Sequence, residues 1–243
     1  MNQKASNKKY NFLEGEVLLI NKPGTWTSFD VVNKIRRMLR YFLKQKIKVG
    51  HTGTLDPLAT GLLLICTGGA TKKINQFQDL DKTYTGTLLL GAVTASLDKE
   101  TDVIDTFPVD HITAEMIQKA TLKFIGEIKQ VPPAYSAIRV EGTRAYQLAR
   151  KQQDVKMSPR IVSINEFEIT DIDIPKVKFR VSCAKGTYIR SLARDFGQAL
   201  DSGAYLYELC RTRVGEFKLS DAMEITDLEN ILREGQQFDS NSV

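Results

Sequence analysis

Apolar residues along the chain fall into short blocks separated by glycine- and proline-marked turns, and strand and helix periods alternate. Glu16-Val17-Leu18-Leu19-Ile20 predicts a short strand closed by the turn Asn21-Lys22-Pro23-Gly24. Val31, Val32, Ile35, Met38, Leu39, Phe42 and Leu43 then recur at helical spacing behind Ser28, a candidate N-cap. Leu62 to Cys66 is apolar throughout and bounded by Gly61 and Thr67-Gly68-Gly69, which predicts a buried strand. A short helix follows from Thr71 to Phe77. Lys82 to Leu90 is rich in β-formers and reads as a strand in which the small Gly86 leaves room beside the Tyr84 ring. Ala95 to Asp110 is acidic and irregular, and a helix from Thr113 to Phe124 carries Met116, Ala120 and Phe124 on one stripe. Val131-Pro132-Pro133 breaks the pattern and opens a basic stretch with a hairpin at Glu141-Gly142 and a helix from Thr143 to Gln152.

Beyond that stretch, Ile161 to Ile169 and Lys176 to Cys183 are strands. In the second, Val177, Phe179, Val181 and Cys183 alternate with polar residues. Thr187 is placed to cap a helix starting at Tyr188, with Ile189, Leu192, Ala193, Phe196 and Leu200 facing the core. A strand from Leu206 to Phe217 and a short helix from Thr226 to Leu232 complete the pattern. With no internal repeat or composition break, the expected organisation is an arm over 1–14, one α/β mixed (α+β) domain over 15–235 with a protruding insertion at 131–160, and a polar tail over 236–243.

Of the 243 residues, 34 are Lys or Arg and 29 Asp or Glu, so the net charge of +5 suits a polyanionic partner. Three widely spaced cysteines, Cys66, Cys183 and Cys210, fit a reduced, cytoplasmic protein. No run reaches the roughly 20 apolar residues of a membrane span, and the lysine-rich start lacks the apolar block of a secretory signal. Lys34, Arg36, Arg37, Arg40 and Lys44 cover the outer faces of the first helix, with no acid between Val31 and Leu55 to balance them. A phosphate-backbone contact and a solvated face are both open readings. Arg139, Arg144, Arg150 and Lys151 likewise make the insertion basic.

Candidate chemistry centres on Gly50-His51-Thr52-Gly53-Thr54-Leu55-Asp56-Pro57-Leu58-Ala59-Thr60-Gly61. Its glycines permit tight turns and Pro57 biases Asp56 towards an extended backbone, which puts an acid on a stiff loop against the buried strand. A solvated, N–H-capping aspartate is the plainer alternative. Only His51 and His111 are available to a metal, neither in a ligating pattern, and phosphate-loop, dinucleotide and nucleophile-elbow signatures are absent. Arg190 sits in the first turn of its helix, where the macrodipole disfavours a cation, so a carboxylate opposite is expected unless the side chain is solvated. Tyr188 is either a core aromatic or a wall of the site. These residues alone do not reach a reaction.

The Gly50 to Gly61 motif closely resembles the catalytic motif of the bacterial tRNA pseudouridine-55 synthases, the TruB family. Asn21-Lys22-Pro23-Gly24 with Thr27-Ser28, Lys82-Thr83-Tyr84, Val131-Pro132-Pro133-Ala134-Tyr135-Ser136-Ala137 and Cys183-Ala184-Lys185-Gly186-Thr187-Tyr188-Ile189-Arg190 resemble further family motifs in family order. The resemblance covers about Gly15 to Phe217. It implies the pseudouridine-synthase fold, with a long, largely antiparallel mixed sheet flanked by helices and crossed by the active-site cleft. It also implies isomerisation of uridine in the T-loop of tRNA, with no cofactor and no metal, by a monomer. By motif position it makes Asp56 the catalytic aspartate, Arg190 its partner and Tyr84 the ring stacked on the target base. Tyr188 and Leu209 pack round the uracil, Lys22 and Pro23 form the supporting motif, and His51 enters the space left by flipped bases. The 131–160 insertion closes on the T-loop, and Arg36, Arg37, Arg40, Lys44 and Arg144 are candidates for the RNA backbone. Whether Asp56 adds at C1′ or removes a C2′ proton is open at this level. Longer members continue into a PUA domain, for which this sequence has no room. A non-catalytic RNA-binding or tRNA-folding module and a hydrolytic N-glycosidase are the alternatives.

Overall fold

A computed structural model describes the backbone of residues 9–140, 142–151, 153 and 155–240. Most of the expected N-terminal arm, the last three residues of the expected tail, Glu141 of the hairpin and Gln152 of the following helix lie outside the described residues. The elements in chain order are β1 (Val17–Lys22), α1 (Ser28–Leu43), β2 (Val49–His51), β3 (Thr60–Thr67), α2 (Ile74–Asp79), β4 (Lys82–Leu90), β5 (Ala92–Thr94), β6 (Val103–Thr106), α3 (Ala114–Thr121) and β7 (Gly126–Gln130). They continue with β8 (Arg139–Val140), β9 (Thr143–Arg144), α4 (Ala145–Ala149), β10 (Arg160–Asp173), β11 (Lys176–Cys183), α5 (Ile189–Gln198), β12 (Ala204–Val214), β13 (Phe217–Lys218) and α6 (Ile225–Ser240). The chain divides into two compact units, residues 1–80 with 211–243 and residues 81–210.

In the first unit β3 is buried along almost its whole length and pairs antiparallel with β1, Val17 opposite Cys66 and Lys22 opposite Gly61, and with β2, His51 opposite Ile65. Helix α1 begins in a capping box: the Thr27 hydroxyl accepts from Asp30 N (3.0 Å) and the Asp30 carboxylate accepts from Thr27 N (2.9 Å). This corrects the expected cap. Ser28 sits one residue inside the helix, buried, where it accepts from Leu55 N (2.8 Å) and donates to Leu55 O (3.1 Å). The apolar stripe Val31, Val32, Ile35, Met38 and Leu39 packs with Leu18, Ile20, Leu63, Ile65, Leu228 and Leu232, each such burial stabilising by about 1.5–3 kcal/mol.

Helix α6 is longer than expected and runs through most of the stretch read as a polar tail. Asp227 accepts from Glu224 N at its start, and Arg233 pairs with Glu229 one turn back. Leu228 and Leu232 anchor it in the core. The apolar period ends with those leucines, but Arg233, Glu234, Gln236 and Gln237 are good helix formers on either side of Gly235, and the backbone stays helical to Ser240.

The second unit is an antiparallel array in which β4, β11, β10 and β7 are successive neighbours: Tyr84 lies opposite Val181, Ile164 opposite Cys183, and Val162 opposite Ile128. Phe124, Phe167, Phe179 and Phe196 pack edge to face or tilted, with centroids 5.4–6.2 Å apart. On α3 the buried stripe runs through Ile117 rather than Met116. The segment expected to be irregular contains β6, which pairs with β5 as a hairpin. Burial pushes the Cys66 and Cys183 thiols up to about 11, so they behave as packing groups.

Gly86 is small for a different reason from the one expected. A Cβ there would stand 2.4 Å from Glu208 O on β12 and about 2.9 Å from the Phe179 ring, so the glycine lets two strands and a ring close up. Gly86→Ala is therefore expected to destabilise the protein by about 1–3 kcal/mol, read as a lower urea midpoint at unchanged m-value.

Candidate active site

In the first unit the Asp56 loop is held from three sides. Ser28 brackets Leu55, as above. From β1, the Lys22 ammonium is fully buried and donates to Pro23 O (2.9 Å), Trp26 O (2.5 Å) and Pro57 O (3.1 Å), joining the Pro23 turn to the residue after Asp56. From β12, Arg211 is 2% exposed and donates to Leu62 O (2.7 Å) and Gly53 O (3.1 Å). Asp56 itself is half-buried, and its carbonyl accepts from Ala59 N (3.1 Å), which turns the chain back into β3.

Burial lowers the Lys22 pKa to about 8 against the opposing pull of the Asp56 carboxylate, with the Arg211 charge pushing the same way as burial. The charge of Asp56 thus acts on a buried ammonium of its own unit, which is bonded to the carbonyl of the next residue, Pro57. His51 is likewise pushed down, first by burial and then by Arg211, and Gly53 N donates to its Nδ1 at 3.3 Å.

In the second unit Tyr84 is buried on β4, and Tyr188 and Leu209 are half-buried at the N-cap of α5 and on β12. Thr187 does not cap α5; its hydroxyl donates to Ala184 O (3.0 Å). Tyr188 is the N-cap residue, and buried Gln130 fixes its backbone, accepting from Tyr188 N (2.9 Å) and donating to Tyr188 O (3.2 Å). Gln130 also stands at the root of the insertion, where Ser191 and Arg194 both donate to Val131 O. Gln130→Ala would leave both backbone groups of Tyr188 without these partners, and we expect a loss of about 1–3 kcal/mol in urea unfolding.

Arg190 is 4% exposed and lies in the first turn of α5, as expected. Within this unit it donates to Ser96 O (3.0 Å) and Tyr135 O (2.9 Å), and its Nε is 3.6 Å from the buried Asp98 carboxylate. Asp98 is held in turn by the Ser96 hydroxyl (2.6 Å) and Glu100 N (2.9 Å). Asp98 thus provides a carboxylate beside that cation within its own unit, and sequence reasoning had passed over it inside an acidic linker.

Of the candidate backbone-binding cations, Arg37, Arg40, Lys44 and Arg144 are exposed. Arg36 is engaged internally, donating to Asn33 Oδ1 (3.0 Å) and Val49 O (2.9 Å). Lys44 closes α1 in a left-handed conformation with its ammonium over the Tyr41 ring. No described helix is long and apolar enough to cross a membrane.

Comparison with solved structures sets the class. Over 90% of its length the chain matches a chain of the Cbf5-Nop10-Gar1 complex, with a TM-score of 0.68 and 30% identity, and it spans 54% of that chain. A TruB family pseudouridylate synthase N-terminal domain model matches residues 37–189, and a tRNA pseudouridylate synthase B C-terminal domain model matches 190–241. The fold is that of the pseudouridine synthases. More particularly, the chain belongs to the TruB family. It is 54% identical over 216 residues to tRNA pseudouridine synthase B of Phocaeicola vulgatus, covering 88% of this chain and 92% of the relative. It is 53% identical over 215 residues to the Bacteroides fragilis protein of the same name, again covering 88% and 92%.

Proposed function

We infer that the chain is a tRNA pseudouridine synthase, an isomerase that converts a uridine of tRNA into its C-glycoside. The observation that carries this is 54% identity to a tRNA pseudouridine synthase B along nearly the full length of both chains. We further propose uridine 55 in the T-loop as the target, Asp56 as the catalytic carboxylate, Arg190 and Tyr84 as the other catalytic groups, and action as a cytoplasmic monomer.

A base in a folded RNA loop is out of reach, so the enzyme must extrude it, stack it and bind its polar edge. Tyr84 is the proposed stacking ring, Tyr188 and Leu209 the walls, and His51 the residue that fills the space left behind. The N1–C1′ bond then breaks, the uracil turns, C5 bonds to C1′, and the C5 proton is lost while N1 gains one, so the product is an isomer. Each stage needs an ionised carboxylate at the sugar. The loop supports this role for Asp56, because its charge is felt at buried Lys22 and three side chains from outside the loop brace the backbone around it. Lys22 and Pro23 support the site in this sense.

The test is to incubate T-loop RNA with wild type and with Asp56→Asn, then resolve nucleosides and free base. Pseudouridine from wild type only, with no uracil released, is expected. Uracil release would instead make the protein a glycosidase, and RNA binding without product a non-catalytic module.

Arg37, Arg40, Lys44 and Arg144 are the proposed phosphate contacts, and the internal bonds of Arg36 place it behind them. Binding should then fall steeply with salt, with a log–log slope of about −0.7 to −0.9 per phosphate neutralised. Arg37→Gln with Arg40→Gln should flatten the slope by about two such contacts. A flat wild-type response would contradict this surface.

A further inference from the structure

Arg211 was singled out by no motif, yet it is among the bulkiest fully buried side chains. Burying a guanidinium is costly, and packing alone would be served as well by an apolar residue of similar volume. Its acceptors give the reason for its presence. Leu62 O and Gly53 O lie on either side of Asp56, one at the start of the buried part of β3 and the other just after His51. A guanidinium presents its donors as a rigid planar fork, so it fixes the directions of the two carbonyls it joins, whereas the donors of an ammonium rotate about one point. The loop between them is already fixed at Leu55 by Ser28 and at Pro57 by Lys22. Arg211 closes the remaining freedom by joining the ends.

We propose that Arg211 is a positioning residue for the reaction, tying the two ends of the Asp56 loop together so that Asp56 and His51 stand in place before RNA arrives. This rests on the reaction inferred above. Four charged groups act on one another in this region of the first unit: Arg211, the Lys22 ammonium and the Asp56 and Asp30 carboxylates. Arg211 and burial both disfavour the imidazolium form of His51 against a smaller opposing contribution from the Gly53 backbone, and Gly53 N donates to its Nδ1, which leaves Nε2 to carry the ring proton of the neutral form. His51 then enters the RNA as a neutral donor whose orientation is set by the same glycine that Arg211 grips.

Arg211→Gln removes the charge and the fork; Arg211→Lys keeps the charge and removes the fork. Each is made in the full chain and measured for single-turnover rate, RNA affinity and the His51 imidazole titration by NMR. The sequence holds only two histidines, so His111→Gln assigns the signals. Both variants should lose on the order of 100-fold in rate, the scale of a misplaced catalytic group, with affinity within about threefold of wild type. The His51 titration should move up in Arg211→Gln and stay near wild type in Arg211→Lys. Unchanged rates, or rate and affinity falling together with loss of the fold in both variants, would overturn the proposal, as would a His51 titration indifferent to Arg211→Gln. A wild type that makes no pseudouridine would instead defeat the inferred reaction, a result separable from any of these.

Discussion

Asp56→Asn is expected to lower the rate of pseudouridine formation by about 10⁴-fold or more, the scale found when the group that acts on the reacting centre is removed. The replacement keeps the volume and a hydrogen-bonding oxygen but not the charge. RNA affinity should therefore stay within a few-fold, because phosphate contacts rather than Asp56 supply it. Stability should fall modestly, by about 1–3 kcal/mol, since the buried Lys22 ammonium loses the carboxylate that favours its charge. Activity lost together with binding would point to a collapsed loop instead, and equilibrium binding by filter retention distinguishes the two.

Lys22→Met should have the largest effect on stability, about 3–5 kcal/mol in urea unfolding. Methionine fills the space but leaves Pro23 O, Trp26 O and Pro57 O without the donor they share. The pH dependence provides an independent check. Unfolded, Lys22 titrates near 10.5; folded, burial brings it to about 8. Between those values the unfolded chain holds the extra proton, so stability from this group rises with pH. The cost of burying the charge is full below about 8 and is relieved by about 10.5. Wild type should thus gain stability relative to Lys22→Met across that window, and parallel curves for the two proteins would exclude a buried, depressed lysine.

Strands β4 and β11 were legible to the residue, because alternation or β-forming composition ends at clear turn signals on both sides. The Asp56 loop was legible as a motif and as a stiff turn. Its bracing was not. Arg211 reaches Leu62 across 149 positions of sequence, Arg190 reaches Ser96 across 94, and Gln130 reaches Tyr188 across 58. Periodicity and local propensity carry no information on such pairings, which only the folded chain brings together. The caps show the same limit on a small scale. Thr27 and Ser28 are both good caps, and the choice falls to Asp30, which completes a box with the first and not the second. At α5 the helix begins one residue later than the threonine suggests: Tyr188 is the N-cap, Thr187 turns its hydroxyl to Ala184 O, and a glutamine from β7 takes the Tyr188 amide. Arg190 lies in the first turn of α5 as expected, and within its own unit Asp98, a residue that no motif singled out, stands 3.6 Å from its Nε.

Reattachment through C5 expels the hydrogen on that carbon, so tRNA carrying tritium at C5 of uridine 55 alone reports the reaction directly. Tritium release approaching one equivalent per tRNA with wild type, none with Asp56→Asn and no labelled uracil in solution is the expected result. Release at the same rate from both proteins, or none from wild type bound to its tRNA, would contradict a mechanism built on Asp56.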